Sequence, residues 1–274
     1  MPFRLLSRTT FLSMLAAILL FSSCKKDKDD DGPGHVPDRK IAKLYQDPQN
    51  FIEFFYNADG SLSKIKLAEE ETGTDVQTLE FFYGDKKRIA HIFAQNGYRI
   101  NYRYENDRLI ATETTDGTGY ILTSGSYFYE NGNLTDYGTF MPFPLDGDPD
   151  GVSYKRVSES KYSYNQDRTI KTIVTNLRNP FTNRMENAGR RNYEKYDNKI
   201  NPLKSLPDFS YGFFQELNPS NIVKETAYDA NGVLEETVER SFTYDEHGYP
   251  LTCVEKTTEA GKAPVTKTMT FTYK

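Results

Sequence analysis

The chain has 274 residues, a formal net charge of −5, 14% aromatic residues without tryptophan, and two cysteines. A mildly acidic chain is a poor partner for phosphate backbones, which excludes nucleic acid as the expected ligand. The first 23 residues place Arg4 and Arg8 ahead of an apolar run from Phe11 to Phe21 and end in Ser22 and Ser23. That run falls well short of the roughly 20 residues a membrane-spanning helix needs, so residues 1–23 read as a secretory signal peptide.

Cys24 follows directly, and FSSC resembles the lipobox of bacterial lipoproteins, with Phe21 where those boxes usually carry Leu. The resemblance implies a lipidated Cys24 as the first mature residue. Loss of Arg4 and Arg8 then moves the charge from −5 to −7. Cys253 is left without a disulfide partner, so the fold must stand on packing. Three acyl chains, at about 0.8 kcal/mol per buried methylene, would hold the protein on a membrane. KKDKDDDGPGHVPD, residues 25–38, is by composition a solvated tether. It also resembles the segment after the lipidated Cys in surface-displayed lipoproteins of one group of Gram-negative bacteria. Display on the outer membrane is therefore expected, with the periplasmic face as the alternative. The expected organisation is a signal peptide over 1–23, the lipidated Cys and tether over 24–40, and one β domain over 41–274.

That domain is repetitive. FFYNADGSL (54–62), FFYGDKKRI (81–89), YRYENDRL (102–109), YFYENGNL (127–134), YSYNQDRTI (162–170), TAYDANGVL (226–234) and FTYDEHGYPL (242–251) share a Tyr, a polar turn, and Leu or Ile. YEKYDNKI (193–200) fits with a displaced Tyr, and the final FTYK looks like a unit cut off at its Tyr. The Asn, Asp and Gly after each Tyr tolerate the positive φ of tight turns, and β-branched residues resume beyond them. Each unit therefore reads as a hairpin. EEETGTD, QNG, DGTG and EAGKAP read as the return loops, which puts the tight turns on one sheet edge and the variable loops on the other.

The expected fold is all-β: an up-and-down antiparallel meander of roughly 14 to 16 strands, a soluble curved sheet or half-open or closed barrel with its aromatic face inside. Lys64, Lys66, Glu235, Glu236, Glu239 and Arg240 break both faces of a would-be membrane strand. NPLKSLPDFSYGFFQELNPSN (201–221) is the one insertion, with at most a helical turn around Phe213 to Leu217.

YDANGVL and YDEHGYPL resemble the YD repeat of RHS-type proteins, in loosened form over most of residues 51–274. With the lipobox and YDNKINPLKSL (196–206), the chain resembles bacterial surface lipoproteins of unknown function that carry such repeats in a porin-like, meandering β-sheet. The resemblance implies a fold and a location, and no activity.

LDGDPDGVS (145–153) places Asp146, Asp148 and Asp150 at alternating positions, a spacing whose oxygens can converge on Ca²⁺. Val157 stands where the bidentate acid of such loops belongs, so a plain acidic loop is the competing reading. No other cofactor is expected. His35, His91 and His247 form no zinc or nucleophile spacing, and no catalytic residue is assigned. A tyrosine repeated in every hairpin reads as a structural device, its ring packed on the next unit and its hydroxyl near water.

Function is expected in the three longest irregular stretches, 140–155, 176–192 and 201–221. Phe181, Tyr211, Phe213 and Phe214 are the ligand-contact candidates on them. The expected role is a non-catalytic binding or adhesion module recognising a glycan, or an envelope or host protein. The alternative is a structural or accessory subunit of an outer-membrane complex.

Overall fold

The computed structural model of the protein describes residues 39–68, 76–145, 148–206 and 218–274. Strands β1 (Ile41–Tyr45), β2 (Phe51–Tyr56), β3 (Leu62–Ala68) and β4 (Gln77–Tyr83) come first. They are followed by β5 (Ile89–Ala94), β6 (Arg99–Glu105), β7 (Arg108–Thr115) and β8 (Ile121–Glu130). The longest are β9 (Asn133–Leu145), β10 (Asp148–Tyr164) and β12 (Met185–Ile200), with β11 (Ile170–Arg178) among them. β13 (Ser220–Tyr228), β14 (Leu234–Tyr244), β15 (Pro250–Glu259) and β16 (Val265–Tyr273) complete the meander. Every strand pairs antiparallel with its sequence neighbours, and β1 pairs with β16 through Ile41↔Tyr273 and Leu44↔Phe271. The sheet is thus a closed barrel rather than an open one.

Even-numbered strands end at one rim, rim A, where both described termini, Arg39 and Lys274, also lie. Odd-numbered strands end at the opposite rim, rim B. Most repeat turns fall at rim A, as the sequence predicts, and QNG, DGTG and EAGKAP fall at rim B; EEETGTD lies outside the described residues. YDANGVL departs from this rule, because it joins β13 to β14 at rim B.

The repeat encodes a bulge. Tyr56 pairs with Leu62, Tyr83 with Ile89 and Tyr164 with Ile170, and in each case the exit strand carries one extra residue just beyond. The extra residue lets two apolar side chains three apart face inward together: Leu62 and Ile65, Ile89 and Ile92, Ile170 and Ile173 are all buried. An i, i+3 apolar pair in a strand breaks period two. Asp side chains hold the turns, with Asp245 Oδ1 accepting from the backbone N–H of His247 and Tyr249 at 2.9 Å each.

The repeated tyrosines do more than pack. Four of the hydroxyls donate to the backbone carbonyl at the turn exit of the preceding unit: Tyr83 to Leu62 (2.7 Å), Tyr164 to Leu134 (2.7 Å), Tyr196 to Ile170 (2.6 Å) and Tyr273 to Pro250 (2.7 Å). The expectation of hydroxyls left near water is therefore corrected. These carbonyls would otherwise be half-buried without a donor. Tyr56 donates to Ile41, the residue paired with Tyr273 (2.8 Å), so the unit cut off at FTYK is completed by β1. In YEKYDNKI it is Tyr196 that joins this ladder, while Tyr193 is buried in the core. Tyr244 bonds the Asp197 carboxylate instead, because the insertion after β12 replaces the turn exit that would supply a carbonyl. Burial raises the hydroxyl pKa of Tyr56, Tyr164, Tyr196 and Tyr273, and that of Tyr83 to about 12.

Two apolar clusters fill the interior. One gathers Phe54, Ile65, Ile92, Cys253 and Phe271 with Leu203 and Leu206 of the insertion; the other gathers Leu134, Ile170, Tyr127, Tyr162 and Tyr193. Leu203 lies in a 3-10 helix, Pro202–Ser205, and Leu206 ends it; Asn201 caps the helix by accepting from the Leu203 N–H (3.1 Å). Aromatic residues are not confined to the inside: Phe82, Phe93 and Phe128 are exposed on the outer face. Two of the three stretches read as long loops are mostly strand. Residues 140–145 and 148–155 belong to β9 and β10, and only 179–184 separates β11 from β12.

Candidate functional site

Polar chemistry inside the barrel centres on Glu225. Arg240 donates to it from Nη2 (3.0 Å) and to Glu255 from Nε (2.7 Å), and Arg191 donates to it from Nη1 (2.9 Å) while reaching Glu236 at 3.2 Å. Burial pushes the Glu225 carboxyl up, but the two guanidinium groups outweigh it and hold the pKa below the ordinary range. Glu236, farther from Arg240, is raised by burial. Val238 and Phe242 flank Arg240 on its own face of β14, so Arg240 points inward, and with Glu236 it lies on the lumen side. Nothing in the VERSF spacing marks the difference, because inward and outward positions both carry charge.

Beside this network lies a cavity of about 60 Å³, lined by Asn218, Asn221, Arg240, Phe242, Cys253 and Glu255. Arg240 Nη1, Asn218 Nδ2 and Glu225 Oε2 are buried near it without a hydrogen-bond partner among the described residues. A cavity of that size has room for a few waters, on the order of 10–15 Å³ each, and none for a ligand needing about 300 Å³. Burial pushes the Cys253 thiol up to about 12, which leaves it a small, unreactive core residue.

Rim B offers the opposite environment. Phe181 is 95% exposed at the tip of the β11–β12 hairpin. The tip is nevertheless ordered by its own polar side chains. Asn179 Oδ1 accepts from the N–H of Phe181 (2.8 Å) and Thr182 (3.1 Å), Asn179 and Thr182 both donate to Glu186 at 2.8 Å, and Arg178 donates to the Asn183 carbonyl at 2.6 Å. The Phe181 ring is thus held out into water by a braced turn, outside the packed interior.

Of the other candidates, most lie outside the described residues. The stretches 140–155 and 176–192 meet at rim B, whereas the insertion at 201–221 leaves β12 and enters β13 at rim A. The described ends of the three stretches therefore lie on different rims. Tyr211, Phe213 and Phe214 lie outside the described residues, as does Cys24. Asp148 and Asp150 belong to the start of β10 and Asp146 lies outside the described residues. Among the described residues no three His, Cys, Asp or Glu side chains gather to hold a metal ion.

Rim A carries the entry of the chain. Arg39 is pinned by Asp245 (2.7 Å) and the Tyr249 hydroxyl (3.2 Å), and Lys40 donates to the Gly60 carbonyl at 2.5 Å. Whatever precedes residue 39 therefore leaves from rim A.

With this geometry in place, comparison with known proteins finds likeness in structure alone. No protein-family model and no curated protein matches the sequence. A porin-like protein from Bacteroides uniformis has 15% identity and a TM-score of 0.58, covering 87% of this chain and 99% of that one. A porin-like protein from Bacteroides vulgatus has 10% identity and a TM-score of 0.53, covering 86% and 99%. What is shared is the fold. The sequence expectation of a porin-like meander is met at that level.

Proposed function

We propose that the protein is a lipid-anchored binding module of the outer membrane surface, tethered through Cys24 at rim A and meeting a protein partner at rim B through Phe181. The observation that carries this reading is the braced, 95% exposed Phe181 at the rim opposite the chain entry. Residues 25–38 span at most about 50 Å fully extended, so an anchor on Cys24 keeps rim A nearer the lipid. Rim B then faces outward.

The barrel serves as a scaffold in this reading, with no channel and no catalytic step. Phe54 and Ile92 are both 0% exposed at inward positions, which supports a packed interior over a water-filled pore. The outer face supports a barrel standing in water. Glu239, Ser241 and Thr243 of β14 lie across from Lys256, Val254 and Thr252 of β15, and Thr266, Thr268 and Thr270 follow on β16. A lipid-facing strand needs an unbroken apolar band, and a Lys or Arg at its midplane costs about 2–4 kcal/mol. The accessory-subunit alternative differs in its partner, which would then be an integral membrane protein.

The test uses full-length protein in its native host. Palmitate labelling that is lost in Cys24→Ala, release of that variant from the membrane, and partner capture lost in Phe181→Ala are the expected results. Unchanged membrane attachment of Cys24→Ala, or partner capture indifferent to Phe181→Ala, would refute the reading.

A further inference from the structure

A second surface lies on the outer wall of the barrel, toward the rim B ends of β4 and β5 and seven strands round from the β11–β12 tip. Phe82 of β4 stacks on His91 of β5, with ring centroids 4.7 Å apart and planes 13° apart. Phe93, two residues along β5, meets both rings edge-on, at 5.6 Å from Phe82 and 5.2 Å from His91. Phe82 is 41% exposed and Phe93 39%, so the apolar corner faces solvent rather than the core. The Arg99 guanidinium lies over Phe93 at 5.4 Å from the β6 side. On the β4 side of Phe93 a cleft of about 340 Å³ opens, lined by Lys64, Thr78, Glu80 and Gln95. Lys64 Nζ and Glu80 Oε1 lie 2.9 Å apart on its wall, both still exposed to water.

We propose that this cleft on β3–β5 binds a neutral glycan, one pyranose ring lying against Phe93 and its hydroxyls bonding to Glu80, Lys64, Gln95 and Thr78. The chemistry favours this ligand over others. Flat aromatic faces match the C–H face of a pyranose, while a carboxylate, an ammonium, an amide and a hydroxyl supply the acceptors and donors that ring hydroxyls need. Pairing Lys64 with Glu80 cancels their charge, which disfavours an anionic ligand. A lipid tail would leave those two groups desolvated. The volume falls within the roughly 300–1,000 Å³ of small-ligand sites and suits one or two sugar rings. Burial and the Arg99 charge lower the His91 pKa, so its ring is neutral at pH 7 and completes the apolar corner.

This site goes beyond the rim B reading and is independent of it. Phe82, His91 and Phe93 also stabilise the sheet as cross-strand neighbours, so the test must separate packing from binding. Calorimetric titration of the mature protein with cellohexaose, maltohexaose, laminarihexaose, mannohexaose and galactohexaose provides that test. At least one sugar is expected to bind, and Phe93→Leu, which keeps apolar bulk but removes the flat face, is expected to weaken it about ten-fold while lowering the melting temperature by no more than about 4 °C. Glu80→Gln is expected to weaken it as well, and Phe181→Ala to leave it intact. Absence of binding across the panel, or full affinity in Phe93→Leu, would overturn the proposal. Loss of affinity in Phe181→Ala with Phe93→Leu unaffected would move the sugar to rim B and overturn it equally.

Discussion

At rim A, Tyr56, Tyr83, Tyr164, Tyr196 and Tyr273 bond backbone carbonyls of the neighbouring unit, and the described termini, Arg39 to Lys274, join the same belt. At rim B, the one repeat tyrosine, Tyr228, lies under the Arg190 guanidinium at 4.5 Å and joins no such belt. The hairpin tips there are braced individually, as around Asn179 and Glu186. The contrast separates two uses of the same sequence pattern. At rim A, where units grip their neighbours, Tyr, turn and Leu recur; at rim B TAYDANGVL alone of the quoted units keeps that pattern, and the β11–β12 tip carries Phe181 instead.

The largest test of that contrast is at the seam. Ile41 is 0% exposed, pairs with Tyr273 and accepts the Tyr56 hydroxyl, so Ile41→Ala is expected to cost about 2–5 kcal/mol in urea unfolding. A loss under 1 kcal/mol would show that closure of the barrel matters little.

Alkaline pH probes the whole belt. The folded pKa values of Tyr56, Tyr83, Tyr164, Tyr196 and Tyr273 lie above the unfolded value of 10.0, so the folded state holds its protons longer. Stability is then fully present below pH 10 and falls as pH rises through the folded values. Absorbance at 295 nm should show these tyrosines ionising only with unfolding; early, non-cooperative ionisation would mean an open belt.

Single hydroxyls give the smallest effects. Tyr164→Phe orphans the Leu134 carbonyl and is expected to cost about 1 kcal/mol. Tyr228→Phe and Phe181→Ala are expected to stay within about 0.5 kcal/mol of the parent protein. Equal losses at Tyr164 and Tyr228 would erase the distinction between rims.

Much of the frame was legible because Tyr, turn and Leu recur at fixed steps, and FTYK already pointed to a missing half-unit. The bulge was not, since an inward pair three apart, such as Leu62 and Ile65, imitates no strand period. The long hairpins were hidden by residues that usually mark loops. Pro142 pairs with Tyr154 beyond Phe140, where β9 has β10 as its only strand neighbour, and an edge tolerates the missing N–H. Gly189 sits where a Cβ would come within 2.4 Å of the Tyr228 carbonyl, so a residue read as loop is required by a close strand approach. Of the candidate contacts, Phe181 was readable as an apolar residue amid turn-formers. The wall cleft was not, because Phe82, His91 and Phe93 come together only through the β4–β5 register.

The most direct measurement installs a photo-cross-linking side chain at position 181 on rim B and, separately, at position 247 on rim A, in cells bearing the anchored protein. An adduct with one protein partner at 181 and none at 247 is the predicted result. An adduct at 247 alone, or equally at both, would contradict the assignment of recognition to rim B.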